Sequence, residues 1–177
     1  PVLSVVAGDG QAPLSWTLSP GATGYWVWMR NVTNGESFGR LPYPMFGTST
    51  SWTAGALVNG ATYEFKLQAS KGSADGVFSN VVSVRPVGPA PAAPTGFTVT
   101  AGNGQATLAW NASANATGYY VLMRSVTNGE TTFTQLPYPL GASPWVAAGL
   151  VNGATYEFKL LPINGLINGT ATAAVSV

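Results

Sequence analysis

The chain has 177 residues, of which only 7% are charged, and its formal net charge is +1. So small a charge provides no basic stripe for a nucleic-acid backbone or an anionic membrane surface. Histidine and cysteine are both absent, which excludes Ser-His-Asp and Cys-His catalysis, the usual zinc sites and disulfide bonds. Hydrophobic residues make up 46% of the chain, enough to form a folded core.

The sequence contains two copies of one unit. Residues 7–11 (AGDGQ) return as residues 101–105 (AGNGQ), and residues 57–67 (LVNGATYEFKL) return unchanged as residues 150–160. The small drift in spacing between these matches indicates insertions and deletions in surface loops. We therefore expect a first module over residues 1–85, a proline-rich linker over 86–94 and a second module over 95–177.

Alternation of apolar and polar residues, with frequent turn residues between the runs, predicts an all-β fold without helices. In the first copy, strands are expected near residues 2–7, 13–18, 24–31, 36–41, 50–54, 61–70 and 77–84. In the second copy, they are expected near residues 96–101, 106–111, 118–125, 130–136, 144–148, 154–163 and 169–177.

Glycine and proline mark the connections. Asn-Gly supplies the positive φ angles of a tight hairpin turn, so Asn34-Gly35 and Asn128-Gly129 predict hairpins between the third and fourth strands of each copy. Residues 85–94 (RPVGPAPAAP) hold four prolines. This content favours an extended, semi-rigid connection that spaces the modules.

Three features occur once in each copy and together resemble the fibronectin type III domain over nearly the whole chain. They are a lone tryptophan in the second strand (Trp16, Trp110), a third strand that begins Gly-Tyr (residues 24–30, 118–124), and the pattern Leu-x-x-Gly-x-x-Tyr-x-Phe (residues 57–65, 150–158). The resemblance implies two tandem seven-stranded immunoglobulin-like β-sandwiches, with a buried tryptophan and a tyrosine corner in each. The repeated Leu-Pro-Tyr-Pro at residues 41–44 and 136–139 departs from the family pattern.

The same resemblance implies a role outside the cell. Bacterial members of the family that are rich in Thr, Asn and Gly and poor in charge accompany the catalytic domains of secreted polysaccharide-degrading enzymes, especially in actinobacteria. The expected partners are therefore neighbouring catalytic or binding domains of a parent chain. We expect no nucleic-acid partner and no membrane insertion, because no stretch approaches the ~20 apolar residues of a membrane span.

The six acidic residues do not predict a catalytic centre. Glu64 and Glu157 alternate with inward aromatic residues and are expected to be solvated. Glu36 and Glu130 follow the Asn-Gly turns, while Asp9 and Asp75 are placed in loops. We therefore expect a non-enzyme that needs no cofactor and no metal ion.

One surface is a candidate for binding. If Tyr25, Val27 and Met29 point into the core, then Trp26, Trp28 and Arg30 project from the opposite face of the same strand. Two interpretations stay open: the rings stack on sugars or on a partner, or they form a satellite cluster covered by a lysine stem and by Tyr43 and Phe46. The candidate ligand contacts are Trp26, Trp28, Arg30, Tyr43, Lys66 and, in the second copy, Tyr120.

Three functions are consistent with these features. The first is a spacer that holds other domains of a secreted, carbohydrate-active protein apart. The second is weak binding of polysaccharide or cell-wall glycan through Trp26 and Trp28. The third is assembly into a surface layer or fibre through edge strands that carry few charged residues to prevent pairing. Four Asn-x-Ser/Thr sequons, at Asn31, Asn111, Asn115 and Asn168, are explained by composition.

Overall fold

The computed structural model describes residues 1–177 and contains β-strands but no α-helix. Consequently no helix is available that could cross a membrane. The chain divides into two compact units, unit 1 (Pro1–Gly88) and unit 2 (Pro89–Val177). The prediction of an all-β fold is confirmed.

Unit 1 is a sandwich of two antiparallel sheets. Its strands are β1 (Leu3–Val5), β2 (Ala12–Trp16), β3 (Gly24–Asn31), β4 (Gly39–Arg40), β5 (Met45–Phe46), β6 (Ser51–Ala54), β7 (Tyr63–Lys71), β8 (Ala74–Phe78) and β9 (Val82–Val84). One sheet has the order β1-β2-β6. The other has the order β4-β3-β7-β8, with β5 also paired to β3 and β9 to β7.

The core of unit 1 lies between the two sheets because both present apolar residues at alternate positions. In β2, Leu14 and Trp16 are buried while the intervening Ser15 is exposed. Tyr25 and Val27 of β3 meet this face and are completely buried. The period of two that is visible in the sequence therefore determines which residues form the core.

Unit 2 repeats the arrangement. Its strands are β10 (Thr95–Gly102), β11 (Gln105–Asn111), β12 (Gly118–Ser125), β13 (Thr134–Gln135), β14 (Trp145–Ala148), β15 (Tyr156–Asn164), β16 (Ile167–Asn168) and β17 (Val175–Ser176). One sheet has the order β10-β11-β14, and the other has the order β13-β12-β15-β16 with β17 also paired to β15.

The last strand of each copy differs from its prediction. The expected strand 77–84 is two strands, β8 and β9, which both pair with β7. The expected strand 169–177 is likewise replaced by β16 and β17. In unit 1, a register shift between Gln68 and Ser70 interrupts the β7–β8 ladder. Asp75 therefore lies in β8 and not in the loop where it was expected.

The strand between the Asn-Gly turn and the Leu-Pro-Tyr-Pro segment is also shorter than expected. Regions 36–41 and 130–136 contain only the two-residue strands β4 and β13. In unit 1, the additional strand β5 follows the Leu-Pro-Tyr-Pro residues and pairs with the start of β3. Prolines interrupt this edge because they donate no hydrogen bond to a ladder.

The Asn-Gly turn is wider than predicted. A two-residue hairpin turn of this type requires positive φ at both residues, but only Gly35 has one, at 70°. The amide of Gly35 donates to the Val32 carbonyl (3.0 Å), and the amide of Glu36 donates to the Asn31 carbonyl (3.0 Å). Residues 32–35 therefore form the loop, and unit 2 repeats this geometry.

Candidate functional site

The candidate surface is the outer face of the paired strands β3 and β7. The antiparallel register places Trp26 opposite Gln68, Trp28 opposite Lys66, and Arg30 opposite Glu64. Between them, Val27, Phe65 and Leu67 are fully buried in the core, and Met29 is partly buried against it. The structure therefore brings Trp26, Trp28, Arg30 and Lys66 together on one face.

Contacts from its own unit surround Trp28. The Phe78 ring meets it edge-to-face, with the centroids 5.6 Å apart. The ammonium of Lys66 lies 5.5 Å from the centroid of Trp28 and 4.0 Å from that of Phe78. The indole Nε1 donates a hydrogen bond to Oε1 of Gln68 at 3.3 Å. Trp28 is half-buried as a result, and its polar group already has a partner.

Arg30 and Glu64 form a two-point ion pair. Nε and the terminal nitrogen Nη2 of Arg30 both approach Oε2 of Glu64, at 2.8 Å and 2.7 Å. The guanidinium also lies over Phe38, 4.8 Å from the ring centroid. Glu64 was expected to be a solvated surface acid, but its side chain is only 23% exposed. The ion pair and the neighbouring ring withdraw it from solvent.

An arginine covers Trp26. The guanidinium carbon of Arg40 is 4.3 Å from the centroid of Trp26, a favourable position over the face of an indole. Arg40 also reaches Asp75 at 3.9 Å, although both side chains stay largely exposed. The face of Trp26 that a sugar ring would need is therefore in contact with an arginine of the same unit.

The loop residues do not act as a lid. Tyr43 and Phe46, which were expected to cover the tryptophans, are 75% and 76% exposed. Phe38 and Phe78 provide the ring contacts instead, and sequence reasoning missed both. A signal existed for Phe38, because the second copy carries Phe133 at the equivalent place after its Asn-Gly turn.

Unit 2 retains only half of this surface. Arg124 and Glu157 form the equivalent ion pair at 2.6 Å, and Phe133 lies below both Arg124 and Lys159. Tyr120, the counterpart of Trp26, is half-buried in unit 2. The cation and aromatic cluster is thus repeated, whereas the pair of tryptophans is not.

The charged side chains of the surface contact one another and aromatic rings. No three acidic residues come close enough together to hold a metal ion. Glu64 and Glu157 each form an ion pair with an arginine. What the face can offer is packing, cation–π contact and hydrogen bonding.

Two internal contacts match the features that suggested the family. Trp16 and Trp110 are buried, and each packs against a tyrosine of the following strand, with centroids 5.7 Å and 5.3 Å apart. The hydroxyl of Tyr63 accepts a hydrogen bond from the Val58 amide at 3.0 Å. The hydroxyl of Tyr156 makes the same bond in unit 2. Both units therefore contain a tyrosine corner.

Comparison with solved structures agrees with this geometry. A two-domain fibronectin type III segment from chicken tenascin matches the chain with a TM-score of 0.52 at 15% identity, and the match covers 99% of this chain and 96% of that one. Both units have the fibronectin type III fold. The FN1–FN3 domains of chicken CNTN1 match with a TM-score of 0.49 at 17% identity, over 98% of this chain and 65% of that one.

Sequence comparison gives one curated relative and no family model. Protein sidekick of Drosophila melanogaster is 30% identical over 191 residues, which cover 94% of this chain. The chain spans only 8% of the length of that relative. No protein-family model matches the sequence. The comparisons therefore support tandem fibronectin type III domains and leave the activity of a whole protein to be proposed.

Proposed function

We propose that the two fibronectin type III domains are a non-catalytic module pair that spaces and presents neighbouring domains of a larger secreted protein. Each unit has its own hydrophobic core, so each is a separate folded body that can carry a neighbouring domain. The absence of histidine and cysteine and the paired state of Glu64 and Glu157 support a role without catalysis.

The observation that carries the proposal is that the aromatic face is filled by its own side chains. Trp28 contacts Phe78, Lys66 and Gln68, while Trp26 lies under Arg40. A sugar-binding platform normally keeps a ring face open for stacking. To expose these rings, a glycan would have to displace cation–π contacts worth about 0.5–2 kcal/mol each. This favours a structural function for the cluster over glycan binding.

Composition supports the extracellular context. Thr, Asn and Gly take the surface positions that charged residues usually hold, and only 7% of residues are charged. The modules that this composition resembles accompany secreted, carbohydrate-active enzymes. We therefore infer that the parent protein is carbohydrate-active and that its catalytic or binding domains are the partners of this chain.

A pull-down separates the spacer from a glycan-binding module. The purified chain is incubated with insoluble chitin, cellulose, xylan and bacterial cell wall, and sedimentation velocity is run on the same sample. A spacer remains in the supernatant as a monomer. Retention on one polymer that is lost in the Trp26→Ala/Trp28→Ala variant would establish glycan binding instead. Reversible oligomers would indicate an assembly function.

A further inference from the structure

The chain that leaves unit 1 binds to the end of that unit. The amide of Gly60 donates to the Pro86 carbonyl at 2.8 Å, and the amide of Val87 donates to the Gly8 carbonyl at 3.1 Å. Nε of Arg85 donates to the Gly60 carbonyl at 2.6 Å. The Pro86 ring is fully buried. Residues 85–87 are therefore docked on unit 1.

Unit 2 presents the same groups in an open cleft. Residues 57–67 and 150–160 are identical in sequence, yet Asn59 and Gly60 are buried while Asn152 and Gly153 are exposed. Pro86 and Val87 account for the difference, because they cover this end of unit 1. The cleft, here called the downstream cleft, measures about 70 Å³; its lining includes Gly102, Asn152, Gly153 and Val177.

The chain that enters unit 2 is docked in a comparable way at a different place. Nδ2 of Asn164 donates to the Pro89 carbonyl at 3.1 Å, and the amide of Thr170 donates to the Pro91 carbonyl at 3.0 Å. The Pro91 ring is fully buried. A Cβ on Gly169 would collide with the Pro91 carbonyl, so this glycine is required for the close approach of the segment.

Unit 1 has the equivalent surface, which forms a cleft. The amide of Leu67 donates to Oγ of Ser79 in unit 1, and the amide of Leu160 donates to Oγ1 of Thr172 in unit 2. These equivalent bonds show that Ser79 corresponds to Thr172, and they align the residues before them in the two units. By this alignment, the counterparts of Asn164, Gly169 and Thr170 are Lys71, Gly76 and Val77. All three counterparts line a cleft of about 350 Å³, together with residues 19–22 and 69–70. This is here called the upstream cleft.

The upstream cleft has residues aligned with those that bind the segment in unit 2. Lys71 is aligned with Asn164, which binds the Pro89 carbonyl, and Val77 is aligned with Thr170, whose amide binds the Pro91 carbonyl. Gly76 is aligned with Gly169, although a Cβ on Gly76 would first meet the Ala69 carbonyl of its own sheet at 2.9 Å. Val77 is 79% exposed, so this edge of the sheet is accessible to an added segment.

We propose that the downstream cleft of unit 2 and the upstream cleft of unit 1 are docking sites for extended, proline-containing connecting segments of the kind formed by residues 85–91. This inference rests on the proposed function as a module within a longer array of domains. A carbonyl of a segment that leaves unit 2 accepts a hydrogen bond from the Gly153 amide, and a carbonyl of one that enters unit 1 accepts a hydrogen bond from the Val77 amide.

Proline suits both clefts for physical reasons. It has no N–H group, so burial of the ring leaves no donor without a partner. A proline-rich segment is also already extended before it docks, so less conformational entropy is lost on binding. Docking would hold each module at a fixed distance from its neighbour, which a free Gly/Ser connection does not do.

The downstream cleft is tested by extending the chain. The sequence of residues 85–91 is added after Val177, and a matched control carries the same segment with its prolines replaced by glycine. Amide hydrogen exchange is measured at Gly153, with Gly60 as the docked reference. We expect exchange at Gly153 to slow by about tenfold with the proline segment and to stay near that of the parent chain with the control. Equal exchange rates in all three chains would overturn the proposal.

The upstream cleft is tested in the same way from the other end. The sequence of residues 88–94 is placed ahead of Pro1, again with a glycine-substituted control, and exchange is measured at Val77. Slowing that depends on the prolines supports docking, whereas unchanged exchange contradicts it. Because glycan retention and oligomeric state are measured separately, failure of docking is distinguishable from failure of the spacer function.

Discussion

The ammonium of Lys66 lies over the ring of Phe78, with Nζ 4.0 Å from the ring centroid. The same nitrogen is 4.6 Å from the centroid of Phe38 and 5.5 Å from that of Trp28. One lysine thus joins rings from β3, β8 and the loop before β4. This arrangement makes Lys66 the centre of the cluster that covers the outer face of unit 1.

Removal of the Lys66 charge is expected to destabilise unit 1. Lys66→Met keeps most of the aliphatic stem but loses the cation–π contacts, so the free energy of unfolding should fall by about 1 kcal/mol. Lys159→Met is the matched control, because Lys159 contacts the single ring of Phe133 and its loss should matter less. Urea unfolding followed through NMR signals of each unit provides the measurement. Equal losses in both variants would contradict the central position of Lys66.

Phe78→Ala is expected to open the face of Trp28. Loss of the edge-to-face contact should lower the stability of unit 1 by about 1 kcal/mol and make indole fluorescence more accessible to acrylamide quenching. Phe46→Ala is the control, because Phe46 is 76% exposed. An unchanged quenching constant in Phe78→Ala would mean that Phe78 does not protect the indole.

Much of this fold could be predicted from the sequence. The repeated Leu-x-x-Gly-x-x-Tyr-x-Phe pattern placed Tyr63 and Tyr156 correctly in their tyrosine corners, because each residue in the pattern meets a local requirement. The alternation of apolar residues likewise identified Trp26 and Trp28 as outward residues, because successive side chains of a strand point to opposite faces of the sheet.

The contacts that cover the outer face of β3, and those that bury Gly60, could not be predicted in the same way. Phe78 reaches Trp28 only because β8 pairs with β7 through a register shift, and an apolar pattern does not specify such irregularities. The identical residues Gly60 and Gly153 differ in burial because Pro86 lies over only one of them. Contacts of this kind depend on distant parts of the chain and not on the local sequence.

The tyrosine corners should contribute measurably to stability. Tyr63→Phe removes the acceptor for the Val58 amide and should lower the stability of unit 1 by about 1 kcal/mol, with a similar loss in unit 2 for Tyr156→Phe. Tyr43→Phe is a suitable control, because Tyr43 is 75% exposed. Thermal unfolding of the three variants compares them. A loss for Tyr43→Phe as large as for Tyr63→Phe would argue against the corner.

Gly169→Ala is expected to displace the segment that enters unit 2. The added Cβ would collide with the Pro91 carbonyl, so the variant should lose about 1–3 kcal/mol of stability and the Thr170 amide should exchange faster. Gly141→Ala in the same unit has open space around its Cβ and should behave like the parent chain. Unchanged exchange at Thr170 in Gly169→Ala would contradict the docked position of Pro91.

An NMR titration with soluble oligosaccharides tests the central claim most directly. The ¹⁵N-labelled chain is mixed with chito-, cello- and xylo-oligosaccharides while the indole N–H signals of Trp26 and Trp28 are followed. A face filled by Lys66, Phe78 and Arg40 predicts that neither signal moves at millimolar ligand. Saturable shifts confined to those two indoles, and absent in Trp26→Ala/Trp28→Ala, would contradict the account and identify unit 1 as a glycan-binding domain.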